Sequence, residues 1–465
     1  MTNESKVDMA DCKLGDLSTE LTAAQRRAQA FSHLDDAKLG WFHLRAVLVS
    51  GVGFFTDAYD IFVISLALPM NLCRVVSKSS SVRGIDVLAM LAIWRFFLGI
   101  GIGGDYPMSA IITSEFANVK HRGMMMAAVF AMQGIGILIG GIVTVITLAA
   151  FETLLRKDIL MLDYVWRIMF GFGVIPAIVA IYFRMTIPET PRYTVDVVGD
   201  EEKAQRDMVR VLEMNEVADV SSSWVPTEKP AGESAAIATT EKAVESDGSN
   251  FIAYFGQWKH AKVLFGTAYC WFALDIAWYG LSLNQATILT AINYSGAGVS
   301  HQYERFYQTA VGAVLISLMG TVPGYWVTVA TIERLGRKPI QYLGFAVITV
   351  CLLILAIFWD FMLKNTTYFI VVYTIAQFFF NFGPNSTTFV VPGEVFPTRW
   401  RSTGHGLSAA AGKLGAIIGV QVVGPFFTEH SQAVLITFAV VMATGFAATY
   451  FIPETKGKTL EELSE

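Results

Sequence analysis

The chain has 465 residues, of which 54% are hydrophobic, 13% aromatic and only 16% charged, where a soluble domain carries about 25% charged residues. A mean hydropathy of +0.49 makes it a polytopic membrane protein, and a net charge of -5 without a block of Lys and Arg excludes nucleic-acid binding. The 4 cysteines (Cys12, Cys73, Cys270 and Cys351) are scattered without CxxC or His-adjacent spacing, so neither a disulfide framework nor a metal centre is indicated and they read as packing residues.

Residues 1–44 form a polar tail without the charged-then-apolar pattern of a signal peptide, which puts the N-terminus in the cytosol. Apolar stretches long enough to cross a bilayer follow near 45–68, 85–113, 122–148 and 162–187. A polar segment over 188–262 comes next, rich in Ser, Thr and Ala and carrying Pro226, Pro230 and Gly232, and reads as a flexible cytosolic linker. Further spans fall near 263–292, 306–330, 338–363, 367–392, 401–427 and 431–452, ahead of a cytosolic tail over 453–465. The expected architecture is an all-α bundle of two membrane halves, 45–187 and 263–452, with about ten spans.

Lys and Arg collect in one set of loops: Lys120, Arg122, Arg334, Arg337, Lys338, Arg399, Lys456 and Lys458 all become cytosolic, and the loops near 293–305 and 428–430 external. The sequons at Asn293 and Asn365 then lie outside. Residues 69–84 break the pattern, because parity places them outside although they carry Arg74, Lys78 and Arg83. A first half with fewer spans than the second also breaks the equality of a transporter built from two repeats. Loss of one adjacent helix pair between Ala67 and Ile85 accounts for the imbalance, since removing two helices preserves every downstream orientation.

A charge at the centre of a span costs about 2.5–3.5 kcal/mol on insertion scales, so it should face a cavity or a partner. Asp57 and Asp60 sit three apart on one side of the first span, either hydrogen-bonded to neighbouring helices or handling protons. Arg95 and Asp105 on the second span lie about 80° apart around the helix and point into the same half of the bundle. Between them GIGIGG (Gly99–Gly104) satisfies a dinucleotide-binding pattern, but without the strand and helix that pattern needs; these glycines are expected to allow close helix contact. Gln133 precedes a Gly136-xxx-Gly140 packing pair and is either interhelical glue or a ligand donor. Trp271, Asp275 and Tyr279, four apart in the fifth span, line one face with an indole N–H, a carboxyl and a phenol. Asn385 beside Pro384 is expected in a broken helix, and Lys413 is a cation deep in a span. The set suits a small polar anion carried with protons.

FTDAYD at 55–60, GGDYPMSAIITSE at 103–115, WFALDIAWYGLSLN at 271–284 and NFGPNSTTFVVPGEVFPTRWR at 381–401 closely resemble the phosphate:proton symporters of the major facilitator superfamily, in particular fungal and plant inorganic phosphate permeases. GYWVTVATIERLGRK at 324–338, PETPRY at 188–193 and PETKGKTLEEL at 453–463 resemble the superfamily's loop and post-helix motifs. The resemblance implies a phosphate site at Tyr106, Gln133, Trp271, Asp275, Tyr279 and Asn385. It implies proton handling by Asp57, Asp60 and Asp105, with Arg95 and Lys413 in support and no cofactor. It also implies twelve helices; the pair lacking here corresponds to the second and third, with their GxLxDRxGRK loop. Proton-coupled phosphate import at the plasma membrane is therefore the expected function. A phosphodiester or other organic-anion permease of the same fold, and a truncated phosphate sensor or inactive form, are the alternatives. An enzymatic reading finds no nucleophile–base constellation, metal-ligand spacing or large soluble domain to carry it.

Overall fold

The computed structural model describes residues 39–75, 87–185, 248–294 and 302–464. The N-terminal tail up to residue 38, most of the expected loop at 69–84 and the expected linker up to 247 lie outside the described residues.

The first group of helices is α1 (Trp41–Val75), α2 (Val87–Phe116), α3 (Arg122–Ala150) and α4 (Leu162–Arg184). The second is α5 (Trp258–Leu283), α6 (Gln302–Leu335), α7 (Arg337–Ile357), α8 (Thr366–Asn381), α9 (Pro384–Val395) and α10 (Thr398–Ala448). Helix α6 contains a π turn over Ser317–Thr321 just before Pro323, a local widening that accommodates the missing proline N–H. Helix α10 is two spans in series, since His430 leaves helical geometry at φ -130° and ψ 37°.

Among the described residues, 8 helical segments are long and apolar enough to cross a membrane: α1 to α4, α6, α7 and both arms of α10. The two remaining expected spans are helical but depart from uniform apolarity. Helix α5 carries Lys259, Lys262 and Asp275, and the segment 367–392 is broken at Phe382–Gly383 into α8 and α9. Interrupted helices in a bilayer are stable where the broken backbone is buried in protein or lines a cavity. The expected linker is shorter than the sequence suggests: Gly248–Phe255 is helical, with Phe251 against Trp400 and Phe255 against Phe396. Burial of these rings orders the end of the linker.

Helix α1 packs on α3 and α4, α5 runs along the first arm of α10, and α3 meets α6 between the two groups. Gly136 lies against the backbone of Phe55 and Tyr59, and Gly415 and Gly419 against the carbonyls of Phe272 and Ile276; small residues allow this approach. The expectation for the GIGIGG segment is overturned. A Cβ at Gly99, Gly101, Gly103 or Gly104 would meet nothing within 4 Å, and Trp94, Phe96, Phe97 and Ile100 beside them are exposed. No helix among the described residues packs on that face.

At the end where α6 turns into α7, Arg337 binds Glu333 at 2.7 Å and Glu394 at 2.8 Å. There Glu333 Oε1 accepts from Met124 N–H at 3.0 Å, and Arg401 pairs with Glu115 at 3.3 Å. At the opposite end the two groups meet through the exposed pair Arg156–Glu304 at 3.2 Å.

Candidate functional site

Between the two ends, side chains from α2, α3, α5, α6, α9 and α10 converge on one buried polar cage. The four-residue spacing on α5 puts Trp271, Asp275 and Tyr279 on one stripe, and all three are buried. Lys413 on α10 sits opposite, its Nζ 3.2 Å from Asp275 Oδ2 and donating to Tyr279 Oη at 2.9 Å. The same ammonium lies 5.0 Å from the Tyr106 ring centroid and 4.4 Å from that of Tyr279, within cation–π range. Gly412 permits the approach: an added Cβ would strike the Trp271 ring and Asp275 Oδ2.

The other wall is a chain of hydrogen bonds. Gln133 Nε2 donates to Tyr106 Oη at 2.9 Å, and Tyr325 Oη donates to Gln133 Oε1 at 3.5 Å. Asn385 Nδ2 donates to Tyr325 Oη at 2.7 Å and to Asn381 Oδ1 at 2.8 Å. Because the segment breaks at Gly383, α9 opens here with its N-terminal end, whose partial positive charge favours an anion. The six residues expected at the anion site thus come together. Lys413, expected only in support, stands in the middle of them.

The acidic residues of the first group make their own contacts beside the cage. Asp105 pairs with Arg184 of α4 at 2.5 Å and accepts from Ser109 Oγ at 3.1 Å; Gly53 leaves room for this pair beside α1. Arg95, expected in support, lies beside Asp60: it donates to that residue's backbone carbonyl at 2.5 Å and lies over the Phe170 ring. Asp57 Oδ2 and Arg95 Nη2 are buried without a hydrogen-bond partner among the described residues.

Sequence reasoning passed over Tyr325, Asn381 and Arg184. Tyr325 and Asn381 lie inside the motif segments 324–338 and 381–401, one aromatic and one amide among many. Arg184, at the last turn of a span, looks like an ordinary positive flank. Cys270 and Cys351 are buried thiols away from the cage, and no cluster of metal-ligating residues occurs among the described residues.

A family profile described as Sugar (and other) transporter matches residues 52–465. The chain belongs to this family. Its relatives include the repressible high-affinity phosphate permease of Neurospora crassa, 39% identical with 95% of this chain and 89% of that protein covered. The inorganic phosphate transporter PHO84 of Saccharomyces cerevisiae is 37% identical, with 95% and 87% covered. The low affinity inorganic phosphate transporter 1 of Petunia hybrida is also 37% identical, with 94% and 95% covered. The Neurospora alignment runs over 521 positions against a chain of 465 residues, so this relative has segments with no counterpart here. Among solved structures, the major facilitator superfamily proton:xylose symporter XylE superposes with a TM-score of 0.59 at 17% identity, over 95% of this chain and 93% of that one. The partially occluded inward-open form of XylE from E. coli gives 0.56 at 15% identity, over 95% and 91%. At these identities the likeness shows the fold alone, an all-α bundle; the family profile makes the chain a multi-pass membrane transporter of the major facilitator type.

Proposed function

We propose that this chain imports inorganic phosphate together with protons by alternating access, at the plasma membrane and with both termini in the cytosol. The observation that carries the reading is the buried cage, in which Lys413 and Asp275 face each other amid the side chains of Tyr106, Gln133, Trp271, Tyr279, Tyr325 and Asn385. The phosphate permeases among its relatives support the choice of anion.

The chemistry follows from charge. Phosphate near neutral pH carries one to two negative charges, and beside an ionised Asp275 it would bury like charges together. Protonation of Asp275 releases Lys413 to the phosphate and turns the carboxyl into a donor. Tyr106, Gln133, Trp271, Tyr279 and Asn385 supply neutral donors to the remaining oxygens. By linkage, a proton that favours phosphate is favoured by phosphate to the same degree. When the proton leaves, Asp275 recaptures Lys413 and expels the anion. Asp57, Asp60 and Asp105 handle the protons, with Asp57 Oδ2 open to a proton and Arg184 paired to Asp105.

The test is phosphate uptake into cells or proteoliposomes carrying the full chain, at acidic and neutral external pH. Uptake should rise on the acidic side and fall at least tenfold with a protonophore or with Asp57→Asn. Uptake indifferent to all three would overturn proton coupling. Sidedness has its own test. Asn293 and Asn365 are both exposed, and Thr366 Oγ1 donates to Ile292 O at 3.2 Å, so the two sequons share one end of the bundle; sugar added at either marks that end as external.

One observation favours a second reading, a phosphate-binding form that does not transport. The apolar face of α2 lacks a helix partner among the described residues. Phosphate binding without uptake would select it.

A further inference from the structure

His405 is a wholly buried titratable side chain, 0% exposed, on the same helix α10 as Lys413. Its ring meets those of Trp271 and Phe389 nearly at right angles, with centroids 5.5 Å and 5.3 Å away. Its Nε2 lies 3.2 Å from Phe389 O. A carbonyl only accepts, so Nε2 carries the proton and Nδ1 is left as a bare lone pair; that atom is buried without a partner among the described residues. The charged residues before and after it on α10 are engaged elsewhere, Arg401 with Glu115 and Lys413 with Asp275.

Trp271 is 1% exposed, and its indole N–H donates to no protein group among the described residues. A buried donor normally has a partner, so this one is free for a ligand only while the ring is kept from turning. Three neighbours hold it. A Cβ at Gly412 would come within 2.5 Å of Trp271 Cδ1, Tyr106 lies 6.4 Å away at 44°, and His405 stands against it at 89°. Of the three, His405 is the one anchored to α9, through the carbonyl of Phe389, one turn after Asn385. A single imidazole thus joins α10, α9 and α5, and ties Trp271 on one wall of the cage to the helix that carries Asn385 on the other. We propose that His405 is a positioning residue for the anion site: uncharged and held by Phe389 O, it sets the direction of the Trp271 N–H and with it the grip on phosphate. The inference rests on the phosphate reading of the cage. A phenyl ring would fill the same space but could not bond the carbonyl, and a binding group is only as well placed as the hydrogen bonds behind it.

The experiment is equilibrium phosphate binding to the full chain in detergent, across pH, for the parent, His405→Phe, Trp271→Phe and the double variant. His405→Phe keeps a ring and removes the donor; Trp271→Phe keeps a ring and removes the indole N–H. Each single change should raise the Kd at least about fivefold, and the double variant should bind within about twofold of Trp271→Phe, the non-additivity of a residue that acts through its neighbour. The midpoint pH of binding should be the same in His405→Phe as in the parent. Losses that multiply, an unchanged Kd in either single variant, or a moved midpoint, which would make His405 a proton carrier, overturn the positioning role and leave the phosphate reading standing. If His405→Phe does not fold, His405→Gln, which keeps an N–H for Phe389 O and loses the ring against Trp271, takes its place in the same cycle with the same expectations. A parent chain that does not bind phosphate overturns both.

Discussion

In the second group of helices the charges inside the membrane are matched, whereas in the first several are not. Asp275, 1% exposed, has Lys413, and a line of hydrogen bonds runs from Asn385 and Tyr325 to Gln133 and Tyr106 of the first group. In the first group Asp105 has Arg184, but Asp57 Oδ2 and Arg95 Nη2 have no partner among the described residues. Packing divides differently: 56% and 50% of the apolar windows of α1 and α3 are buried, but only 33% and 22% of those of α2 and α4. Exposed Phe and Ile side chains cost nothing against lipid; an unpaired charge there is expensive. The deficit of the first group is therefore felt at its coupling residues. If a helix pair is lost between Ala67 and Ile85, the deficit falls on α2; the Neurospora alignment is longer than this chain.

The largest effect expected from breaking this contrast is at Lys413. Truncating one partner of a buried pair costs about 3–5 kcal/mol. The Lys413 side chain is 39% exposed, so Lys413→Ala should fall near the bottom of that range, at about 3 kcal/mol, and abolish phosphate binding. Adding Asp275→Asn removes the stranded charge and should restore most of the stability without restoring binding. Arg95→Gln, which removes a side chain with one nitrogen already unpartnered, should cost about 1 kcal/mol. Thermal unfolding in detergent and equilibrium phosphate binding read both quantities. Equal losses at Lys413 and Arg95 would erase the distinction.

A smaller, opposite-signed pair of changes tests the packing. A Cβ at Gly419 would drive into the Ile276 carbonyl, so Gly419→Ala should destabilise by about 1–3 kcal/mol. At Gly101 nothing lies within 4 Å, and Gly101→Ala should stabilise α2 by up to about 1 kcal/mol through helix propensity alone. Grafting the corresponding helix pair of the Neurospora permease between Ala67 and Ile85 should turn the Gly101 change destabilising. An unchanged sign after grafting would mean that the missing segment does not pack on this face.

Much of this was legible in the sequence. The spans follow from apolar length, and the α5 stripe of Trp271, Asp275 and Tyr279 follows from helical spacing, because both signals are local. The break before Pro384 was legible for the same reason. What escaped depends on distant partners. Arg95 binds a backbone carbonyl, an acceptor every residue carries, so no side-chain pattern announces it. Arg184 reaches Asp105 from another helix across a gap that Gly53 keeps open, and Tyr325 enters the cage through the π turn before Pro323. The GIGIGG glycines misled because small residues signal close packing only where a partner helix is present.

The smallest effect concerns the contacts that join the two groups. At the end where α6 turns into α7 Arg401 and Glu115 are 1% and 3% exposed, whereas at the opposite end Arg156 and Glu304 are both 39% exposed. An exposed pair contributes about 0–1 kcal/mol and is screened by salt, so Arg156→Ala should leave the unfolding temperature unchanged. In a chain carrying Ser282→Cys, at a buried position on α5, it should raise labelling by an external, membrane-impermeant methanethiosulfonate no more than about fivefold, since 1.4 kcal/mol is a factor of ten. High salt should produce the same shift in Ser282→Cys alone and none in Ser282→Cys combined with Arg156→Ala. Arg401→Gln removes the buried ion pair with Glu115, and should both lower stability and favour opening at that end. If Arg156→Ala instead has the larger effect on which end opens, the Arg156–Glu304 contact is the stronger closure. That end would then open second, after the cage has already opened at the other.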